Sequence, residues 1–321
     1  MRDVVVVPIV LQVAVPIALM CWLAFGRAAI TASLAADVII VAAYFLAIGV
    51  AALWLVIAPP FLAVYALLLL LALGYRLRSR HTWKLWPESR GSRIALAVRA
   101  ALAVGCVALA AYALSGRRPM TGNALELQFP LEGGPYLVVN GGSRKLLNAH
   151  LMTMADDDRF RPYRGQSFGL DIVKLNDWGV HASSPFPRQP AAYAIFDEPI
   201  TAPCAGTVIL AADGFGDMHP PDADRAHMAG NHVIIECDGR WVVIGHMRQG
   251  SVRVGAGDVV GIGQRLGSVG NSGNTVEPHL HIHAQTPGTR DAPMSGEPVP
   301  MLFGGRYLAR NSRVYTGSSG N

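Results

Sequence analysis

Three of the chain's ten histidines fall within five residues, His279-Leu280-His281-Ile282-His283. Alternate side chains of a β-strand point to one side, so the three imidazoles would line one face while Leu280 and Ile282 pack into a core. Residues two apart stand about 6.5 to 7 Å from each other at the backbone. That spacing lets one imidazole bind a metal while its neighbour meets a substrate, a reading that stands against a merely solvated His-rich face. Two further positions carry chemistry. In WVVIGHM an apolar strand ends at Gly245 and presents His246, placed to act as an acid, a base or an oxyanion donor. In QSFGLDIV, Asp171 is the only carboxylate inside an otherwise apolar strand, where a charge is costly unless it is paired or bound to a metal.

These residues need a sheet to hold them. From about residue 121 onward, short β-branched runs alternate with Gly, Pro, Asn and Asp clusters: YLVVN, GLDIVKL, GTVILAA, NHVIIEC, WVVIGHM, GIGQRLGSVG and HLHIHA. Short strands with turn signals at this spacing predict an antiparallel sheet or sandwich. Residues 214–230 have no strand pattern and are rich in Asp, Pro and His, which predicts a long loop over one face; its His219 and His227 read as solvated. His232, in GNHVII, reads as an ordinary strand residue.

The N-terminal part is a different material. Charged residues make up only 15% of the 321, against roughly 25% in ordinary soluble domains. The first hundred residues hold 9 basic and 3 acidic side chains, the other 221 hold 18 and 19. The net charge of +5 therefore lies in the N-terminal part, and no basic face remains for a phosphate backbone, which excludes nucleic acid as a partner. Four spans are predicted, at about 4–26, 38–58, 59–77 and 94–116, with Pro59-Pro60 as the turn between the second and third. The third is short, and Arg76 and Arg78 would snorkel from it toward headgroups. Arg99 reads as an anchor reaching the interface, and with Asp37 placed before the second span, no span interior holds an acid or a histidine. The four spans are thus expected to anchor the chain in a lipid bilayer.

The loop at 76–93 carries Arg76, Arg78, Arg80, Lys84, Arg90 and Arg93 against Glu88, so the positive-inside rule makes it cytoplasmic. The Arg27 loop then lies inside, the Pro59-Pro60 turn outside, and everything after about residue 117 outside. The expected organisation is an α-helical membrane segment at 1–116 followed by a mainly-β extracytoplasmic domain of antiparallel sheets at 117–321. Cys204 and Cys237 both fall in the exported part, at the ends of predicted strands, where a disulfide between them would persist.

The segments QSFGLDIV, TAPCAGTVI, GNHVII, VVIGHM, VRVGAGDVVGIGQRLGSVGNSGNT and NTVEPHLHIHA, in this order across residues 165–285, resemble the LytM or lysostaphin-like zinc metallopeptidases of family M23. The resemblance implies one zinc per chain, with Asp171 and His281 as ligands and His246 and His279 as the catalytic histidines. It implies a second zinc-binding histidine four residues before Asp171, and here Ser167 stands there. A hydroxyl is a poor zinc ligand, so the site is one ligand short unless a loop brings His150, in LLNAHLM, beside Asp171. His283 shares the strand face with His281 and would orient that ligand by a hydrogen bond.

The activity implied is a membrane-anchored endopeptidase that cuts peptidoglycan cross-links or stem peptides on the outer face of a bacterial-type inner or cytoplasmic membrane. Which of His246 and His279 is the base stays open, and no protein partner is indicated. A competing reading, motivated by Ser167, is a degenerate module that binds wall or regulates another hydrolase. A lipoyl- or biotinyl-carrier barrel, suggested by APCAGTV and the following turn, needs a lysine on an exposed hairpin, and no lysine follows Lys174.

Overall fold

The structure is a computed structural model and describes residues 7–26, 30–55, 61–78, 84–120, 122–289 and 291–317. The chain divides into two compact units, Met1–Ser115 and Gly116–Asn321.

The first unit is helical. Its helices are α1 (Val7–Phe25), α2 (Thr31–Ala51), α3 (Phe61–Leu77) and α4 (Arg90–Ser115). Among the described residues α1, α2 and α4 are long and apolar enough to cross a membrane. Helix α3 is equally apolar but has 17 residues, about 26 Å at 1.5 Å per residue and short of a hydrocarbon core of roughly 30 Å. The Arg27 loop, the Pro59-Pro60 turn and Arg80 fall outside the described residues.

Two sequence expectations are corrected here. The second apolar helix begins at Thr31 rather than at 38, which takes Asp37 inside it. Arg99 is no lone anchor either: its Nε donates to Asp37 Oδ1 at 2.9 Å, and its guanidinium also bonds the Ala95 carbonyl at 3.3 Å. A carboxylate is tolerated inside an apolar helix because its countercharge meets it there, 62 residues away in sequence.

The second unit is built on one nine-stranded sheet. Its strands are β2 (Tyr136–Asn140), β3 (Leu170–Lys174), β5 (Gly206–Ala212), β6 (Asn231–Cys237), β7 (Arg240–Met247), β8 (Val259–Val260), β10 (Leu280–Gln285), β11 (Pro298–Val299) and β14 (Arg313–Val314). They run β14-β2-β3-β10-β7-β6-β5-β8, with β11 paired on β10, and every pair is antiparallel. Two small sheets flank it: β4 (Pro199–Thr201) with β9 (Arg265–Ser268), and β1 (Leu125–Leu127), β12 (Met301–Phe303) and β13 (Arg306–Tyr307), where β1 and β12 are parallel.

Period-two alternation assigns the faces. Leu170 and Ile172 of β3, Leu280, Ile282 and Ala284 of β10, and Val242 and Ile244 of β7 all enter one buried cluster with Val233 and Ile235. Asp171, His281, His283 and Gln285 therefore point the other way. Strand β7 changes parity on the way: Asn231 pairs with Met247 and Val233 with Ile244, so Gly245 and His246 stand opposite the single residue His232. This bulge sends Met247 into the core and turns His246 to the face that carries Asp171 and His281. Cys204 and Cys237 are disulfide-bonded with their Cα atoms 6.0 Å apart, at the end of β6 away from His246.

Candidate active site

The sheet register sets Asp171 opposite His281, and His281 opposite Gly245, one residue from His246. His279 immediately precedes β10 rather than lying in it. Its ring centroid is 4.8 Å from that of His246. His150 comes from outside the sheet, on the two-turn 3-10 helix Ala149–Met154, with Asn148 as its N-cap. His150 Nε2 lies 3.5 Å from Asp171 Oδ2, His281 Nδ1 2.9 Å from Asp171 Oδ1, and His279 Nε2 3.4 Å from the same oxygen. Two groups of ligating atoms, each within 4.8 Å of one another, share His281: His150, Asp171 and His281, and His246, His279 and His281.

The partners behind the rings fix which nitrogen carries the proton, because a carbonyl oxygen only accepts. His246 Nδ1 donates to the Ser272 carbonyl at 2.8 Å and His279 Nδ1 to the Glu277 carbonyl at 2.9 Å. For His150 the partner is Asn148, whose amide nitrogen donates to the carbonyls of Gly142, Ser167 and Gly169, which leaves Oδ1 to accept; His150 Nδ1 lies 3.1 Å from that oxygen and 3.1 Å from the Asn140 amide nitrogen. Asn140 is likewise oriented by the Ala149 N–H on its oxygen, so its amide donates to Asp171 Oδ2 at 3.2 Å. Three imidazole Nε2 atoms and a carboxylate thus converge on one space.

That donor set fits a zinc ion. Catalytic zinc takes His and carboxylate ligands with bonds of roughly 2.0 to 2.2 Å and leaves a fourth position open. A tetrahedron with such bonds has edges of roughly 3.3 to 3.6 Å; His150 and Asp171 stand at 3.5 Å, and His281 and Asp171 are closer, at 2.9 Å. Burial raises the Asp171 carboxyl, but His150 and His279 beside it outweigh this and hold it well below the usual range. Burial and the neighbouring His281 and His279 push His150 down to about 4 against the pull of Asp171. Burial, then His279 and His281, hold His246 well below its ordinary value. His279 moves the opposite way: burial lowers it, and Asp171 more than reverses that.

The cleft over these groups has a volume of about 490 Å³, and its walls include Met152, Phe160, Tyr163, Met228 and Met294. The 214–230 segment forms one rim through Met228 and Ala229, whose carbonyl accepts the His246 N–H at 2.8 Å. His246 itself sits in the left-handed region with φ of 59°.

Ser167 is turned away, its Oγ 2.8 Å from Thr153 Oγ1 and donating to the Arg164 carbonyl at 2.7 Å. Thr153 in turn donates to the His150 carbonyl at 2.7 Å, so Ser167 buttresses the helix that delivers His150. His283 lies behind His281, fully buried. His227 pairs with Asp224 at 2.7 Å and His232 donates to Gly230 O at 2.8 Å; neither they nor His219 line the cleft. Sequence reasoning missed Asn140, Asn148, Ser272, Glu277 and Gln285. Of these only Asn148 left a signal, as a capping residue two positions before His150.

Residues 192–293 match a known family model, Peptidase family M23. Those residues are similar to the peptidase domain of that family. They include His246, His279 and His281, while Asp171 and His150 lie upstream.

Solved structures similar to this chain include the SpoIIQ-SpoIIIAH pore forming complex, at 19% identity over 40% of this chain and 63% of that one, TM-score 0.25. A putative peptidase M23 from Pseudomonas aeruginosa is 22% identical over 55% of this chain and 53% of that one, TM-score 0.28. The catalytic domain of the antimicrobial peptidase lysostaphin from Staphylococcus simulans is 20% identical over 53% of this chain and 86% of that one, TM-score 0.26. The chain thus spans less than two thirds of the first two proteins. No curated protein matches it.

Proposed function

We infer that the chain is a membrane-anchored zinc metalloendopeptidase whose substrates are peptides of the cell wall, peptidoglycan cross-links or stem peptides. The observation that carries this reading is the convergence of imidazole nitrogens and a carboxylate in a cleft whose strands β7 and β10 fall within the residues that match family M23. His150, Asp171 and His281 would hold the zinc, since this group includes the anionic ligand. Bound zinc supplies Lewis acidity toward an amide carbonyl and lowers the pKa of water toward neutrality.

The rest is the work of two histidines. His246, kept neutral, accepts a proton from water at Nε2 while Ser272 holds its Nδ1–H. His279, drawn toward its charged form, stabilises the developing oxyanion and returns a proton to the leaving amine. The apolar walls at Phe160, Tyr163 and the methionines hold the peptide and limit water.

The apolar helices would anchor the domain, residues 117–321, on the periplasmic or extracellular side of a bacterial-type inner or cytoplasmic membrane. The basic residues at 76–93 support that orientation, and the Cys204–Cys237 bond suits an oxidising compartment. The test is zinc content and hydrolysis of purified peptidoglycan by the full chain and by His279→Ala. About one zinc per chain, with cleavage lost in the variant, supports the reading. Full retention of a cell-wall phenotype in the variant would establish instead a non-cleaving module that binds wall or regulates another hydrolase, the alternative that Ser167 favours.

A further inference from the structure

The His281 ring is held by a line of hydrogen bonds that runs from the cleft into the protein. His281 Nε2 lies 2.9 Å from His283 Nδ1, His283 Nε2 3.3 Å from Gln285 Oε1, and Gln285 Nε2 2.7 Å from the Pro293 carbonyl oxygen. The three side chains are 5%, 0% and 0% exposed, so no water competes for these positions. The far end sets the direction of the whole line. Pro293 can only accept, so Gln285 turns its amide nitrogen to Pro293 and its oxygen to His283. That oxygen accepts His283 Nε2–H, and the bare Nδ1 of a neutral His283 accepts His281 Nε2–H. His281 keeps its lone pair on Nδ1, the atom 2.9 Å from Asp171 Oδ1. Two acceptors aimed at each other at that distance call for a cation.

Steric walls fix the amide as firmly as the bonds do. A Cβ on Gly165, in the 3-10 helix Arg161–Phe168, would lie 1.7 Å from Gln285 Oε1, and one on Gly296 would lie 1.9 Å from the Thr286 carbonyl oxygen and 2.9 Å from Gln285 Nε2. Both positions require glycine for this close approach. Gln285 is not among the residues that line the cleft.

We propose that Gln285 is a positioning residue that, through His283, fixes the proton of His281 on Nε2 and so keeps Nδ1 bare for a divalent cation shared with Asp171. This rests on reading the site as a zinc centre. An apolar side chain at 285 frees His283 to reverse and lets His281 place its proton toward Asp171, where it blocks the ion.

The test is the zinc dissociation constant of the full chain in detergent, measured by competition with a chromogenic chelator. Gln285→Leu is expected to weaken binding about 10- to 100-fold, the usual cost of losing an outer hydrogen-bond partner of a metal ligand. Gln285→Glu is expected to restore it, because a protonated carboxyl can donate to Pro293 and accept from His283. Gly165→Ala should weaken binding by displacing the amide, and combining it with Gln285→Leu should add nothing further, since both act on one bond. Wild-type chain that holds one zinc while Gln285→Leu and Gly165→Ala bind it equally well would overturn the proposal and leave the zinc centre standing. If Gln285→Leu does not fold, Gly165→Ala and Gln285→Glu decide in the same way. Wild-type chain that takes up no zinc would overturn both.

Discussion

The two halves of the candidate site are held by different physics. Asp171, His281 and His246 sit on three neighbouring strands, where ladder register sets their spacing and a buried cluster of aliphatic residues locks the opposite face. His150 sits on a six-residue 3-10 helix that no ladder holds, and its position depends on Asn148, Asn140 and the Thr153–Ser167 contact. Backbone pairing places a side chain through many cooperative bonds, whereas a short helix tied by side chains places it through a few. The sheet half is therefore robust and the helical half adjustable, which fits the proposal that His150, 21 residues before Asp171, serves in place of the histidine expected four residues before it.

The sharpest way to break this comparison is to remove one ligand from each half. Asp171→Ala should abolish zinc binding and peptide hydrolysis together, because it removes the carboxylate of the proposed ligand set. His150→Ala should also lose zinc, measured as metal content after dialysis; retained zinc would show that the helical half is dispensable and that His246, His279 and His281 are the metal group. Next in size, His246→Ala should lower kcat about 10²- to 10⁴-fold with zinc still bound, the usual contribution of a positioned general base.

Acidification should strain both halves of the metal-free protein. His150, pushed down to about 4, and His246 and His283, held well below their ordinary 6.5, refuse protons that the unfolded chain accepts. The unfolded state binds more protons as pH drops below 6.5, so stability falls through that window toward pH 4. The raised value of His279 works oppositely: its contribution is present below 6.5 and is lost as pH rises through its folded value. A denaturant midpoint that stays flat from pH 6.5 to 4 would contradict this balance. The smallest effect belongs to the helical half alone. Asn148→Ala should cost about 1 kcal/mol of stability through the lost cap, and hydrogen exchange should then find Ala149–Met154 opening well before β10.

Much of the sheet half could be read in the sequence, because alternation is a local property. HLHIHA, GLDIV and WVVIGHM each display which residues share a face, and every predicted strand run overlaps an observed strand. The parity change at Gly245-His246 was not legible, since a bulge is defined by the partner strand and simple alternation would send His246 into the core beside Ile244. The support of His150 escaped for the same reason: Asn140, Asn148 and Ser167 act on it across up to 17 residues of irregular chain. Nothing in the sequence marks Gln285, and only the Pro293 carbonyl gives it a direction. In the helical unit a charge reads as the limit of an apolar run, but Asp37 has its partner on another helix.

His246 stands out among the residues around Asp171 in having a left-handed backbone, a conformation costing a side chain with a Cβ roughly 1 to 2 kcal/mol that glycine does not incur. A laboratory selection that rewarded heat resistance alone would be drawn to His246→Gly, and would harvest proteins that fold better and cut nothing. Hardening this chain for use therefore calls for a screen that scores hydrolysis in every round.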